Sequence, residues 1–333
     1  MKLLKLVPDN TNILFLKWRN VAMIISMLMI IGSIALVATR GLNFGVDFIG
    51  GQMIRVTFQK TAEAPIADVR ATVDRLGFGE STIQRFGQPN EISIRMKLPA
   101  EAEKRPEAAN EMTNKIIAAV KSGHPDARID GVDSVSGKVS EELLSTGVWS
   151  LVAAMVAISI YIWVRFEWQF GVGALFALFH DVSLTFGFFA LTQLEFNLNI
   201  VAALLTIIGY SLNDTIVVFD RIRENLKKYR KMEMVPLLDL SVNETLARTV
   251  MTSLTMLIAL GGLLIWGPDV IFGFSAAMFL GIFIGTYSSV YMAAPFLVWL
   301  KVGTHTFVPA EAPMAGAERM NEGPAKTSNQ SET

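Results

Sequence analysis

Long apolar runs constrain this chain more than anything else in it. The first reads VAMIISMLMIIGSIALVA, without a single charge. A bilayer core takes about 20 such residues as a helix, because lipid offers the backbone no hydrogen-bond partners. Six runs qualify: 21–39, 145–164, 171–192, 198–219, 246–266 and 271–300. Hydrophobic residues make up 52% of the 333, more than a soluble chain of this length needs for its core. The first run is longer than a signal-peptide core and lacks an A-x-A site, so it is expected to persist as a helix. The last contains several glycines and Pro295, which predicts a broken end.

Lys and Arg set the expected orientation. Lys2, Lys5, Lys17 and Arg19 precede the first run, and Arg165 lies between the second and third. Arg221, Arg223, Lys227, Lys228, Arg230 and Lys231 crowd the loop after the fourth, and Lys301 follows the sixth. The alternate loops, TQLEFNLN and WGPDV, carry neither residue, so both termini are expected to be cytoplasmic, with Arg40 a minor exception outside. The basic stretch, in a cytoplasmic loop at about 220–244, is a topology signal and a candidate contact for anionic lipid or a cytoplasmic partner. Residues 1–20 read as a cytoplasmic segment, and 301–333, rich in Ala, Pro, Glu and Ser, as a disordered cytoplasmic tail. The net charge of -1 offers nothing to nucleic acid, and the absence of cysteine excludes disulfides and thiolate metal sites. With three histidines, no HExxH spacing and no phosphate loop, the expectation is a chain that is not an enzyme and holds no metal.

One long loop, 40–144, is left outside as a periplasmic domain. QMIRVTFQ alternates as a strand, and PIADVRATVDRLG is an amphipathic helix bounded by Pro and Gly. STIQRFG and EISIRMK are two strands around a turn at Gly87–Asn90; PEAANEMTNKIIAAVKSG is a second helix and ARIDGVDSVS a last strand. The order βαββαβ is that of a ferredoxin-like fold. The predicted fold class is therefore a polytopic α-helical membrane protein, six transmembrane helices with a ferredoxin-like α+β domain between helices one and two.

Four motifs carry polar chemistry. GLNFGVDFIGG places Gly41, Gly45, Gly50 and Gly51 where the chain turns from helix to strand, with Asp47 able to accept backbone N–H groups; this reads as a turn. His180 and Asp181 fall about 15 Å into the third run, with Thr185 on the face of Asp181. They suit either an interhelical staple or a proton path. Arg248, Thr252 and Thr255 form a stripe at the start of the fifth run, with Arg248 either snorkelling to the interface or facing inward. In the fourth run Thr206, Tyr210 and Asp214 share a face, with Asn213 beside Asp214. Counted from the outer ends, Asp214 lies about 24 Å deep and Arg248 about 27 Å on the next antiparallel helix. A guanidinium moving relative to a buried carboxylate would load or release its proton. The plainer reading places Asp214 at the cytoplasmic end beside Asp220. Gly281-xxx-Gly285 in the sixth run reads as a helix-packing motif.

GLNFGVDFIGG, VRFEWQF, HDVSLTFGF, GYSLNDTIVVFDRIREN and ETLARTVMTS occur in one order along roughly residues 15–300. In these motifs the chain resembles the SecF family, the smaller subunits of bacterial SecD–SecF complexes in the resistance–nodulation–division superfamily. It departs from the family pattern at Ile49, where a hydroxyl or small residue is expected. The resemblance implies an inner-membrane subunit that pairs with SecD, joins the SecYEG translocon, and promotes export of unfolded polypeptides with the proton gradient as its energy source and no cofactor. YajC-type and YidC-type membrane proteins are further partners it implies. The family's membrane carboxylate and arginine fall on Asp214 and Arg248; His180, Asp181, Asn213 and Thr252 are candidate supporting polar residues on their own reading. The resemblance and the loop's position suggest that the outer domain is an arm contacting the emerging chain. The alternatives are half of a proton-driven small-molecule or lipid exporter of the same superfamily, and a passive scaffold.

Overall fold

The computed structural model describes residue 8 and residues 11–79, 81–86, 88–97 and 106–302. Lys2, Lys5, Gly87 and nearly all of the tail expected at 301–333 lie outside the described residues. A 3-10 turn, Phe15–Trp18, runs into α1 (Arg19–Arg40), and a single turn, α2 (Val46–Ile49), follows. Next come β1 (Gly51–Phe58), α3 (Ile66–Asp74), β2 (Ser81–Arg85), β3 (Glu91–Met96), α4 (Pro106–Gly123) and β4 (Ala127–Val135). The rest is helical: α5 (Gly137–Arg165), α6 (Trp168–Thr192), α7 (Leu198–Lys228), α8 (Met234–Trp266), α9 (Phe272–Ser288) and α10 (Ala294–Trp299). Among the described residues six helical stretches are long and apolar enough to cross a membrane.

The α+β domain has the expected order. Its sheet runs β2-β3-β1-β4, antiparallel throughout, with Ile54 opposite both Ile94 and Val132. Alternation along β1 and β3 sends Ile54, Val56, Phe58, Ile92 and Ile94 to one core with Val69 and Val73 of α3 and Ile116 and Val120 of α4. A bulge between Arg55 and Val56 shifts the β1–β4 register.

The helices outrun the apolar segments. α5 begins at Gly137, within the expected domain, and α7 continues to Lys228. The stretch at 220–244, expected as a loop, is helical except for residues 229–233. Hydropathy marks where lipid ends, and charged residues with good helix propensity carry the turns onward into water. Ion pairs hold these extensions: Arg221 Nε reaches Glu244 at 2.7 Å, and Arg165 Nη2 reaches Asp220 at 2.8 Å. Asp239 Oδ1 accepts the N–H of Leu16 at 2.9 Å, pinning the start of the chain to α8. In the other direction, Trp163 and Val164 near the end of α5 are 73% and 85% exposed, a cost in water that lipid removes.

The last span breaks as expected. A π turn, Ser289–Ala293, separates α9 from α10, and Pro295 lies in the first turn of α10, where its missing N–H leaves no regular bond back to the preceding turn. Gly281 and Gly285 face α7: a Cβ at Gly281 would meet Ile207 Cδ1 at 2.5 Å, and one at Gly285 would meet Ser211 Cβ at 3.0 Å. Small residues there let the two helices touch.

Candidate functional site

The spans bury two carboxylates in different ways. Asp214 on α7 is 3% exposed, and its Oδ2 has no hydrogen-bond partner among the described residues. Tyr210, one turn earlier, also has a buried hydroxyl without a partner among them. Burial of polar atoms is normally matched by hydrogen bonds, and these two exceptions lie one turn apart on α7; His180 Nε2, beside Asp181, is another.

No nitrogen of Arg248 comes within 4.0 Å of an Asp214 oxygen, and Arg248 is exposed. The reason lies in how α8 is rotated. Its buried polar stripe is Thr245, Thr249 and Ser253, and Ser253 Oγ meets Thr286 Oγ1 of α9 at 2.7 Å. The expected stripe of Arg248, Thr252 and Thr255 is displaced one residue, about 100° around the helix, and is exposed. Thr252 and Thr255 spend their hydroxyls on their own helix, donating to the carbonyls of Arg248 and Met251 at 3.0 and 2.8 Å. Asn213, one residue from Asp214, is exposed for the same rotational reason.

Asp181 on α6 is the opposite case. At 1% exposure its Oδ1 meets His180 Nδ1 at 2.8 Å, while its Oδ2 accepts from Ser211 Oγ of α7 at 2.5 Å and Ser288 Oγ of α9 at 2.8 Å. Three helices are thereby tied at one carboxyl group, the geometry of a staple. Thr185 bonds the Asp181 carbonyl at 2.8 Å instead of its side chain. Beside this hub the Tyr287 hydroxyl lies 3.0 Å from Ser26 Oγ and donates to the Ala22 carbonyl at 3.1 Å, joining α1. Ser211, Ser288 and Tyr287 were not singled out by sequence reasoning. The only signal for Ser211 is its place three residues before Asp214.

The glycine stretch forms the third part. Gly50 and Gly51 have φ of 75° and 105°, in the region that disfavours side chains, and a Cβ on Gly51 would lie 2.3 Å from the Met96 carbonyl oxygen. Asp47 does accept a backbone N–H, that of Leu198 at 2.9 Å. Gly45 N–H donates to the Phe196 carbonyl at 2.9 Å, and Phe196 N–H to the Asn43 carbonyl at 2.8 Å. Ile49, the departure from the family pattern, is 56% exposed. Below the domain, burial pushes the Glu195 carboxyl above its ordinary range against the pull of Arg95, and burial lowers the Arg95 guanidinium. Among the described residues no three His, Asp or Glu side chains converge as a metal would require.

The family described as "Protein export membrane protein SecD/SecF, C-terminal" matches residues 115–303, and the "SecD/SecF GG Motif" matches residues 35–62. A protein translocase subunit SecF of Rhodobacter capsulatus is 48% identical over 89% of this chain and 91% of its own length. That of Vibrio alginolyticus is 40% identical over 91% and 95%. The crystal structure of SecDF from Thermus thermophilus, a translocon-associated membrane protein, superposes with a TM-score of 0.79 at 32% identity over 88% of this chain. The present chain spans only 39% of that longer SecDF chain. A membrane bundle of six spans, an α+β domain entered through a paired glycine, and these matches over most of its length place the chain in the SecF family of protein-export membrane proteins.

Proposed function

We propose that the chain acts as a SecF-type subunit of a protein translocation machine in the bacterial inner membrane, with both termini cytoplasmic. It works beside a separate SecD chain and a SecYEG translocon, and promotes export of unfolded polypeptides with the proton gradient. YajC-type and YidC-type membrane proteins are candidate associates, and the subunit itself is neither an enzyme nor a cofactor carrier. The names of its relatives and the length of the SecDF chain, more than twice what this chain covers, support a SecD partner.

The observation that carries the energetic reading is the buried, unpartnered Oδ2 of Asp214. Such an oxygen can take up and release a proton without breaking an existing hydrogen bond, and Arg248 on the adjacent helix biases that exchange through its field. The drive available is about 2.3 kcal/mol per charge per 100 mV, enough to shift a conformational equilibrium more than tenfold. Asp214→Asn keeps the size of the side chain and cannot ionise. In vesicles holding normal amounts of the assembled complex, it is expected to remove the gradient-stimulated increment of export. Full retention of that increment would refute the role.

A further inference from the structure

The domain and the proton-site helix meet at one carboxylate. α7 begins at Leu198, and Asn197 before it makes no side-chain cap. The cap comes instead from Asp47, 151 residues earlier, whose Oδ2 accepts the Leu198 N–H. A carboxylate at this end of a helix is favoured by the macrodipole as well as by the hydrogen bond.

The contact continues in both directions. On the α7 side, Phe44 and Phe196 pair as a short parallel bridge, and the rings of Phe44, Phe48, Phe186 and Phe189 surround Phe196 with centroids 5.5–6.0 Å away. On the domain side, Arg95 of β3 donates to Asn43 Oδ1 at 2.5 Å, to Gln84 Oε1 at 2.6 Å, and to the Phe44 carbonyl. β3, the glycine stretch and the first residue of α7 thus form one connected unit. α7 then runs unbroken to Lys228 and carries Asp214 about 24 Å further along. A rigid helix held at its tip passes its displacement to whatever holds it.

We propose that Asp47 is a positioning residue that makes the α+β domain follow α7, so that a shift of the helix at Asp214 becomes a movement of the domain. This rests on the reading of Asp214 given above. A turn alone would need the glycines but not a carboxylate bonded to a helix from another part of the chain.

The chain has no cysteine, so paired labels enter cleanly. Spin labels at Gln88, on the domain, and Pro268, beyond α8, would report their separation in the complex with its SecD partner, in vesicles with and without a proton gradient. Proton uptake would be followed in the same vesicles with a pH dye. The expected result is a gradient-dependent change of separation in the wild type and in Asp47→Asn, which keeps an acceptor oxygen. In Asp47→Ala the change falls below half while proton uptake persists. A wild-type change of separation in Asp47→Ala would overturn the proposal, and so would loss of uptake together with movement, which marks a general structural defect. Should Asp47→Ala not accumulate, Asp47→Ser, too short to reach Leu198, takes its place with the same two outcomes. If Asp214→Asn responded like the wild type, the reading of Asp214 would fall. The comparison of Asp47→Ala with the wild type would still decide the coupling.

Discussion

Asp181 and Asp214 are both carboxylates buried among apolar helices, and nearly everything else about them differs. Asp181 has both oxygens engaged, by His180, Ser211 and Ser288 from three helices. Asp214 has an oxygen with no partner among the described residues, and Arg248 lies on an exposed face, more than 4.0 Å from it. Burial therefore does not by itself mark a working carboxylate. The hydrogen bonds to both oxygens of Asp181 hold its carboxyl group between three helices. Ser211, bonded to Asp181, lies three residues from Asp214 on the same helix, one turn away.

The comparison can be broken most forcefully at Asp181. Asp181→Leu removes three hydrogen bonds at about 0.6 kcal/mol each and is expected to cost on the order of 2 kcal/mol. That would appear as a lower melting temperature in detergent and less protein in the membrane. Asp214→Asn should leave both measures near the wild type; equal losses in the two variants would erase the distinction. Arg248→Met should lower gradient-dependent export several-fold with little effect on melting, because Arg248 makes no ion pair within 4.0 Å among the described residues. If melting fell and export per complex did not, its role would be structural. The smallest effect is expected for Ser288→Ala, which removes one of the three bonds, about 0.6 kcal/mol, with export per complex unchanged.

How much of this was legible before the structure follows from the range of the forces involved. The βαββαβ domain could be read because strand alternation, helix amphipathicity and turn residues are local, and each element from β1 to β4 falls where its pattern lies. The six spans could be read because lipid demands length and apolarity. The continuation of α7 and α8 beyond lipid could not, since hydropathy is silent about helices in water. Nor could the rotational setting of each span. One residue separates Thr249, buried, from Arg248, exposed, and packing with neighbouring helices decides which faces inward. The same limit hid Ser211 and Ser288, the partners that the fold brings to Asp181.

The central claim, that Asp214 exchanges a proton and Asp181 does not, can be tested by infrared difference spectroscopy of the assembled complex as pH is stepped. Carboxyl bands that change with protonation would be compared in the wild type, Asp214→Asn and Asp181→Asn. The account predicts a band from a buried carboxyl that disappears in Asp214→Asn and survives in Asp181→Asn. A band that survives in Asp214→Asn and is lost in Asp181→Asn would contradict it, and would move the proton to the hub between α6, α7 and α9.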